Sequence, residues 1–422
     1  MAKKRKPNLH QQHKIEQAQR KNEFLEKAKW IINTATGKKV YELIPKTTLD
    51  KFYDVRSFSL LINTDENIRI SIESLKIIKK YIHNGLKNKK IKLLETSEEI
   101  TLNDFFTVFL SIYSFSKTLE EDYFPAAKTL MAELQVFDDF KKMFDRTYDT
   151  LSAYLKLISE FCFDFHSPNL CFDFNTKLET KKIMNIQCSI TIKTWVNEIA
   201  HVKINKEFRP VFRVGFPSEF TNIRWVSIKP SDLNIQNTFA QIPHDVYIQS
   251  HAIKRMKERL DYFDNYGLML LLQSTLLLKL KMCYDIHKNM MIEFYILDVK
   301  AGYLPFEITD GKIVIKTFLF LTNGSTPEGA MLEKYTGLNR EEIKYLKIDK
   351  LSSFINSDIS ENEELQVFMK KAGCECLLEL YKYYKKGSSG IGNSNSLNKM
   401  IEMMNKNKEY LKEYEMLVIE EG

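Results

Sequence analysis

The sequence contains few of the residues that break regular structure, with 14 Gly and 10 Pro among 422 residues. This scarcity excludes collagen-like and Pro/Gly-rich disordered proteins, and the composition, 44% hydrophobic and 28% charged, is that of a folded chain. Long apolar runs are also missing. The most apolar stretch, Leu268 to Leu278, is too short to span a bilayer and includes Gln273. We therefore expect no membrane partner.

Cysteine is scarce as well, and the six residues are scattered among apolar neighbours, which is typical of reduced, buried thiols. Cys374-Glu375-Cys376 has the wrong spacing for a zinc knuckle, and the group of Cys162, His166 and Cys171 lacks a fourth ligand. The sequence predicts no metal and no cofactor. Because residues 1–7 are not followed by the apolar segment of a secretory signal, we expect a cytoplasmic protein.

Positive charge is in modest excess, with a formal net charge of +7 and a pI near 8.8. This balance permits a nucleic-acid partner without requiring one. Part of the excess lies in residues 1–37, a basic and Gln-rich segment with a helical pattern. Two interpretations of this segment are open: an electrostatic arm for nucleic acid, or a solvated and frayed terminus, which we favour.

The apolar periodicity changes along the chain and predicts an α+β fold. A helical N-terminal region precedes a central antiparallel β-rich part, which includes a module of two helices and a sheet, and a helical C-terminal region follows. The predicted segments are a basic arm or helix (1–37), a mainly helical domain (38–170), a β-rich segment (171–235), the two-helix-plus-sheet module (244–323), a helical extension (324–386), a flexible linker (387–396) and a C-terminal helix (397–422).

The β-rich segment interleaves basic and aromatic residues, and two placements of them are open. In one, a sheet surface stacks bases on the aromatic rings and holds phosphates with the cations. In the other, which we favour, the aromatic side chains point inward and the arginines merely point outward. The residues concerned are Lys203, Arg209, Arg213, Arg224, Phe212, Phe216 and Trp225.

The most informative stretch runs from Ser250 to Leu260. At 100° per residue, one arc of a helix collects an imidazole, two guanidiniums and a carboxylate, namely those of His251, Arg255, Glu258 and Arg259. A neighbouring arc is apolar and consists of Ile253, Met256 and Leu260. The pattern predicts a helix that is capped by Ser250, anchored by its apolar stripe and polar on its outward arc.

The polar arc fits phosphodiester chemistry. Histidine titrates near neutrality, so His251 can transfer protons as an acid or a base. Arginine binds phosphate bidentately and neutralises developing charge, which is a role for Arg255 and Arg259. Glu258 would orient an arginine or act as a base. Solvated ion pairing of Glu258 with Arg259 or Lys254 explains the same spacing without any function.

Residues 244–323 resemble the RelE-like small ribonucleases of the barnase–EndoU–colicin–RelE superfamily, and most closely the BrnT-type toxin domains. The resemblance rests on one helix and on the element order of two helices followed by an antiparallel sheet. The matching helix residues are Ser250, His251, Ala252, Arg255, Glu258 and Arg259. The resemblance implies RNA cleavage without a metal, and it places substrate-binding residues on the last strand at Lys316, Thr317, Thr322 and Asn323.

These observations predict a nucleic-acid-binding protein with metal-independent endoribonuclease activity, with His251, Arg255, Glu258 and Arg259 as its catalytic residues. RNA is the expected partner, and a protein inhibitor would be compatible with the resemblance. The alternative is a non-enzymatic interaction or regulatory protein that uses the same fold as a binding surface. If the first prediction holds, residues 251, 255 and 259 should line one open cleft with a strand at 313–321.

Two turn signals flank that strand. Asp310-Gly311 predicts a hairpin turn before it. After it, Gly324 and Gly329 would permit close backbone approach to an anion. The plainer interpretation of Asn323 to Gly329, which we favour, is a capped turn into a helix with Pro327 at its first position.

Overall fold

The computed structural model describes residues 9–179, 185–204, 206–218, 223–236, 239–285, 287–355 and 363–384. Helices lie at both ends of this part of the chain and mixed sheets at its centre, so the predicted α+β class is confirmed. The predicted linker (387–396) and C-terminal helix (397–422) lie outside the described residues. No helix within the described ranges is long and apolar enough to cross a membrane.

The chain divides into two compact units. The first contains the described residues of Met1–Ser159, Pro168–Trp195 and Pro217–Asn222. The second contains those of Glu160–Ser167, Val196–Phe216 and Ile223–Gly422. The module predicted at 244–323 and the described part of the extension therefore belong to the same unit. That second unit carries all the predicted site residues.

The first unit is built mainly from helices around an apolar core. Its helices are α1 (Leu9–Thr36), α2 (Lys46–Asp54), α3 (Ile72–Asn88), α4 (Leu102–Asp104), α5 (Leu110–Thr118), α6 (Ala127–Leu134) and α7 (Phe140–Phe161, of which the last two residues belong to the second unit). Helix α3 shows why they form: Ser71 Oγ accepts a hydrogen bond from Ser74 N at 3.1 Å, and Ile78, Ile82 and Leu86 recur on one buried face.

Two small sheets complete the first unit. Their strands are β1 (Leu61–Thr64), β2 (Lys90–Lys92), β3 (Glu99–Thr101), β4 (Asn169–Glu179) and β5 (Asn185–Trp195). One sheet has the order β1-β5-β4, and β2 pairs with β3 in the other. The buried residues of β5 alternate along the strand, as one buried face of a sheet requires: Ile186, Cys188, Ile190 and Ile192.

The second unit contains the larger sheet. Its strands are β6 (Ile199–Ile204), β7 (Glu207–Arg213), β8 (Gly215–Pro217, whose Pro217 belongs to the first unit), β9 (Ile223–Trp225), β10 (Ser227–Ile228), β11 (His244–Gln249), β12 (Met282–Tyr284), β13 (Met290–Ile296), β14 (Val299–Thr309), β15 (Lys312–Ile315) and β16 (Leu319–Phe320). The sheet order is β12-β13-β14-β15-β11-β7-β6, with β10 beside β11 and β16 beside β14, whereas β8 and β9 form a separate pair.

The helices of the second unit are α8 (Ser250–Arg259), α9 (Asn265–Leu277), α10 (Pro327–Thr336), α11 (Arg340–Tyr345), α12 (Leu351–Ile355), α13 (Glu363–Lys371) and α14 (Glu375–Tyr384). A buried polar contact ties α10 to the sheet. The Glu328 carboxylate accepts hydrogen bonds from Lys300 Nζ at 2.5 Å and from the Tyr303 hydroxyl at 2.9 Å, both on β14. The helical extension thus contacts β14 of the predicted module.

The turn predictions around the last strands are confirmed, but the strand itself is divided. Asp310 and Gly311 both have positive φ, 49° and 68°, as a tight two-residue hairpin turn requires. The strand predicted at 313–321 is two short strands, β15 and β16, because residues 316–318 leave the ladder. Thr326 Oγ1 accepts a hydrogen bond from Gly329 N at 2.9 Å, so the predicted capped turn into α10 is also confirmed.

The interleaved aromatic residues adopt the inward placement. Phe212 and Phe216 are buried, at 7% and 0% exposure. Trp225 lies under the Arg213 guanidinium, 4.7 Å from its carbon to the ring centroid. Arg213 also pairs with Glu198 at 3.0 Å and Asp245 at 2.9 Å. These residues therefore stabilise the sheet, and the buried rings of Phe212 and Phe216 are not accessible for stacking with a base.

Candidate functional site

Helix α8 begins where two parallel strands end. Strand β11 pairs in parallel with β15, with Ile248 opposite Ile315. Because the carboxyl ends of parallel neighbours lie at the same edge of a sheet, about 5 Å apart, the start of α8 and residues 316–317 share that edge. The topology thus brings the predicted helix and the predicted strand residues to one side of the second unit.

The predicted orientation of α8 is confirmed. Ile253, Met256 and Leu260 are 5%, 4% and 0% exposed, so the apolar stripe faces the core. The predicted cap is wrong: the N-cap position is Gln249, which makes no side-chain capping bond. Ser250 is the first helical residue instead, and its Oγ lies 3.3 Å from His166 Nε2.

His251 is exposed in the first turn of α8. Partial burial lowers its pKa below the ordinary value, and so does the positive charge of Arg255. Lys254 and Arg209 act in the same direction, and Glu258 opposes them. The lowered pKa favours the neutral imidazole, the state in which it can accept a proton.

Glu258 pairs mainly with Arg255. Its Oε2 accepts a hydrogen bond from Arg255 Nη1 at 2.8 Å, and its Oε1 lies 3.9 Å from Lys254 Nζ. Each side chain of the Arg255–Glu258 pair is 38% exposed. The carboxylate thus orients Arg255 while that guanidinium stays open to solvent, and the predicted pairing of Glu258 with Lys254 is the looser of the two contacts.

Arg259 is held differently from Arg255. Its guanidinium forms an ion pair with Asp349 from the loop after α11, and the two side chains are only 16% and 7% exposed. Burial and the nearby charge of Arg255 lower the pKa of Arg259, yet an arginine remains protonated at neutral pH. Asp349 compensates this buried charge, and its other oxygen, Oδ1, has no hydrogen-bond partner among the described residues.

The residues predicted on the last strand have separate environments. Lys316 Nζ lies 3.3 Å from Glu307 Oε2 on β14, and Thr317 is half-buried beside it. Thr322 is fully buried, and its hydroxyl donates to the Ile348 carbonyl at 2.7 Å. Thr322 therefore fixes the loop after α11 and is not open to a substrate, which corrects its predicted role.

Asn323 and the glycines that follow form a tight turn. Asn323 Oδ1 accepts a hydrogen bond from Ser325 N at 3.0 Å. A Cβ at Gly329 would lie 1.8 Å from the Asn323 carbonyl oxygen, and one at Gly324 would lie 2.0 Å from a Glu333 oxygen. The Glu333 carboxylate fills the space beside Gly324, so this glycine serves the packing of the turn and the capped-turn interpretation stands.

A polar pocket of about 60 Å³ lies where α8, this turn and α11 meet, and we call it the α8–α11 pocket. Asn323 and Gly324 form part of its wall. Its charged lining residues are Arg255, Arg259, Arg340, Lys344, Glu341 and Asp349. The expected single cleft is therefore corrected: the described residues that line this pocket include Arg255, Arg259 and Asn323 but not His251, Lys316, Thr317 or Thr322.

Sequence reasoning missed Arg340, Lys344 and Asp349. Part of the signal was available, since Asn339 and Glu342 have the spacing of a capping box, and Arg340 and Lys344 are four residues apart. The structure contains that capping box, with Asn339 Oδ1 accepting from Glu342 N at 3.1 Å and Glu342 Oε2 accepting from Asn339 N at 2.7 Å. Nothing local in the sequence pairs Asp349 with Arg259.

Among the described residues, no group of three or more His, Cys, Asp and Glu side chains is arranged to hold a metal ion. All six cysteines are unpaired thiols; three of them, Cys171, Cys188 and Cys374, are buried. Comparison of the chain with protein-family models, curated proteins and solved structures finds no match. We therefore infer the function of the second unit from its geometry.

Proposed function

We propose that the second unit binds RNA through a basic face formed by His251, Lys254 and Arg255 of α8 and Arg209 of β7. The observation that carries this proposal is the convergence of three cations on one exposed imidazole. Arg255 and Lys254 lie about one turn after His251 on α8, and β7, which carries Arg209, pairs with β11 directly before α8. Their side chains are 38%, 76% and 46% exposed, so all three can reach a phosphate backbone.

The arginines of this face can exchange their carboxylate partners for a phosphate. Arg209 pairs with Glu207 two residues away, and Arg255 pairs with Glu258 on its own helix. Exposed pairs of this kind contribute about 0–1 kcal/mol each, so a phosphate can replace either carboxylate at small cost. The resemblance of residues 244–323 to RelE-like ribonucleases supports RNA among the nucleic acids.

Binding of an internally labelled single-stranded RNA with hydroxyl groups at both ends, measured with the full chain, tests the proposal. We expect Arg255→Gln to weaken binding several-fold, since one phosphate contact is lost. The double variant Arg255→Gln/Glu258→Gln also removes the carboxylate that would otherwise lose its partner. Its affinity for RNA should fall by a similar factor. Lys334→Gln, which removes an exposed cation of α10, serves as the control and should bind as the wild type does. An Arg255→Gln protein with undiminished affinity would contradict the proposal.

The neutral imidazole beside Arg255 favours a second candidate function, metal-independent RNA cleavage. In this step His251 takes the proton of the 2′-hydroxyl and the 2′-oxygen attacks phosphorus. The bond to the 5′-oxygen breaks, and that oxygen leaves with a proton from water. Arg255 would neutralise the charge that develops on the phosphoryl oxygens. Arg259 is committed to Asp349, so we assign it to positioning of α8.

Cleavage assays in the presence of EDTA separate the two candidates. If His251 is the base, wild-type protein yields products with a 2′,3′-cyclic phosphate, and both His251→Ala and Arg255→Ala lose them. Equal cleavage by all three proteins, or none by any, would remove the catalytic assignment. Salt-dependent binding without turnover would then leave RNA binding as the function.

A further inference from the structure

The α8–α11 pocket lies beside the basic face and is lined mainly by charged side chains. Its outer wall is α11, which the capping box and the buried side chains of Ile343 and Leu346 hold in place. Arg340 and Lys344 lie one helical turn apart on α11, and both line the pocket. The inner wall carries Arg255 and Arg259 from α8. Four cations from two helices thus face one small space.

The cations of the two walls differ in their partners. Arg259 pairs with Asp349, and Arg255 pairs with Glu258. Among the described residues, no ion pair within 4.0 Å is recorded for Arg340 or Lys344, and both side chains are exposed. Arg340 is also close enough to Arg259 to lower its pKa by repulsion. Within the described part of the chain, the two cations of the α11 wall therefore have no ion-pair partner of their own.

Charge and size together restrict the ligand. With four cations against Glu341 and Asp349, the lining residues carry a formal charge of +2. A phosphate monoester carries a charge of about −1.5 to −2 at pH 7, and a phosphodiester only −1. A pocket of about 60 Å³ has room for roughly four water-sized groups, which fits one phosphate group.

We propose that the α8–α11 pocket binds a terminal phosphate monoester of RNA, with Arg340 and Lys344 as the residues that distinguish it from an internal phosphodiester. The proposal rests on the proposed function, since the RNA would reach the pocket from the neighbouring basic face through Arg255, which belongs to both. Arg259, whose charge Asp349 compensates, fixes the inner wall of the pocket.

The test compares four probes on the full chain: one internally labelled RNA with a 5′-phosphate, with a 3′-phosphate or with neither, and a free nucleoside monophosphate as competitor. We expect at least one phosphorylated RNA to bind about tenfold more tightly than the unphosphorylated RNA. Competition by the nucleoside monophosphate at concentrations similar to those of the phosphorylated RNA would assign the site to free nucleotides and overturn its assignment to RNA ends.

The variants identify the residues. In Arg340→Gln/Lys344→Gln the preference for phosphorylated RNA should fall to about one, while the affinity for unphosphorylated RNA changes little, because the basic face is intact. The control Lys334→Gln/Lys370→Gln removes the same charge at two exposed positions of α10 and α13 and should keep the preference. All four positions are exposed, so folding should be unaffected.

The outcomes separate this proposal from the one on which it rests. RNA binding without any end preference in the wild type, or a preference that survives in Arg340→Gln/Lys344→Gln, contradicts the terminal-phosphate site and leaves RNA binding in place. Absence of binding for every RNA contradicts both. A preference for only one of the two ends supports the proposal and tells which end enters the pocket.

Discussion

Arg259 of α8 and Asp349 of the loop after α11 form a largely buried ion pair across 90 residues of sequence. The pair neutralises Arg259 and joins the predicted ribonuclease-like helix to the helical extension. The two arginines of the polar arc therefore have different environments, because Arg259 is largely buried and Arg255 stays open to solvent. The extension is therefore part of the site's architecture and contributes Asp349, Arg340 and Lys344 to it.

Removing one partner of this pair should destabilise the second unit strongly. In Asp349→Asn the buried guanidinium of Arg259 loses its counter-charge, and loss of one partner of a buried pair costs about 3–5 kcal/mol. Hydrogen exchange of the α8 amides measures this as a lower free energy of opening. Lys254→Gln, which removes an exposed cation from the same helix, should change that free energy by less than about 0.5 kcal/mol. Equal effects of both variants would show that the pair contributes no more than a surface contact.

The pKa of His251 should respond to its two neighbours in opposite directions. We expect an NMR titration midpoint below the ordinary value near 6.5, raised by Arg255→Gln and lowered by Glu258→Gln. Because the folded pKa is lowered, the contribution of His251 to stability is present above about pH 6.5 and is lost as the pH falls through the folded value. A midpoint above 6.5, or no change in Arg255→Gln, would refute this electrostatic account.

Thr322→Val tests the corrected role of Thr322. The change removes the donor to the buried Ile348 carbonyl at nearly constant volume, so the free energy of unfolding should fall by about 1–3 kcal/mol. Thr317 is half-buried and its hydroxyl forms no side-chain hydrogen bond within the described part of the chain, so Thr317→Val provides the matched control and should cost less. Urea unfolding of the two variants makes the comparison. If Thr322→Val is as stable as wild type, the hydroxyl does not fix the loop.

Gly324→Ala and Gly329→Ala form a second matched pair. A Cβ at Gly329 meets the backbone oxygen of Asn323, which cannot move without opening the turn. A Cβ at Gly324 meets the end of the Glu333 side chain, which can rotate away. We therefore expect Gly329→Ala to lower the melting temperature and Gly324→Ala to leave it nearly unchanged. The reverse order would mean that the turn is not packed as described.

The sequence was a good guide to local structure. Periodicity predicted the α+β class and the buried stripe of Ile253, Met256 and Leu260, since one face of a helix must meet the core. The dipeptide Asp310-Gly311 predicted its turn because two successive residues needed positive φ. The prediction of Ser250 as the N-cap was wrong, because the N-cap is Gln249 and the helix begins at Ser250 itself.

The site was predictable only in part, because its partners are distant in sequence. The polar arc showed that His251, Arg255 and Arg259 share one side of α8, but not that Arg259 would be neutralised by Asp349. Lys316 and Thr322 were predicted from the resemblance as one functional strand. The structure gives Lys316 a carboxylate partner and Thr322 a buried carbonyl, contacts that depend on the path of the chain after β15.

The salt dependence of RNA binding tests the central proposal most directly. Each phosphate contact of a single strand contributes about 0.7 to the slope of the logarithm of affinity against the logarithm of salt concentration. For unphosphorylated RNA, we expect the slope for Arg255→Gln to be shallower than the wild-type slope by about that amount. The slope for Lys334→Gln should equal the wild-type slope. Identical slopes and affinities in all three proteins would contradict RNA binding through α8.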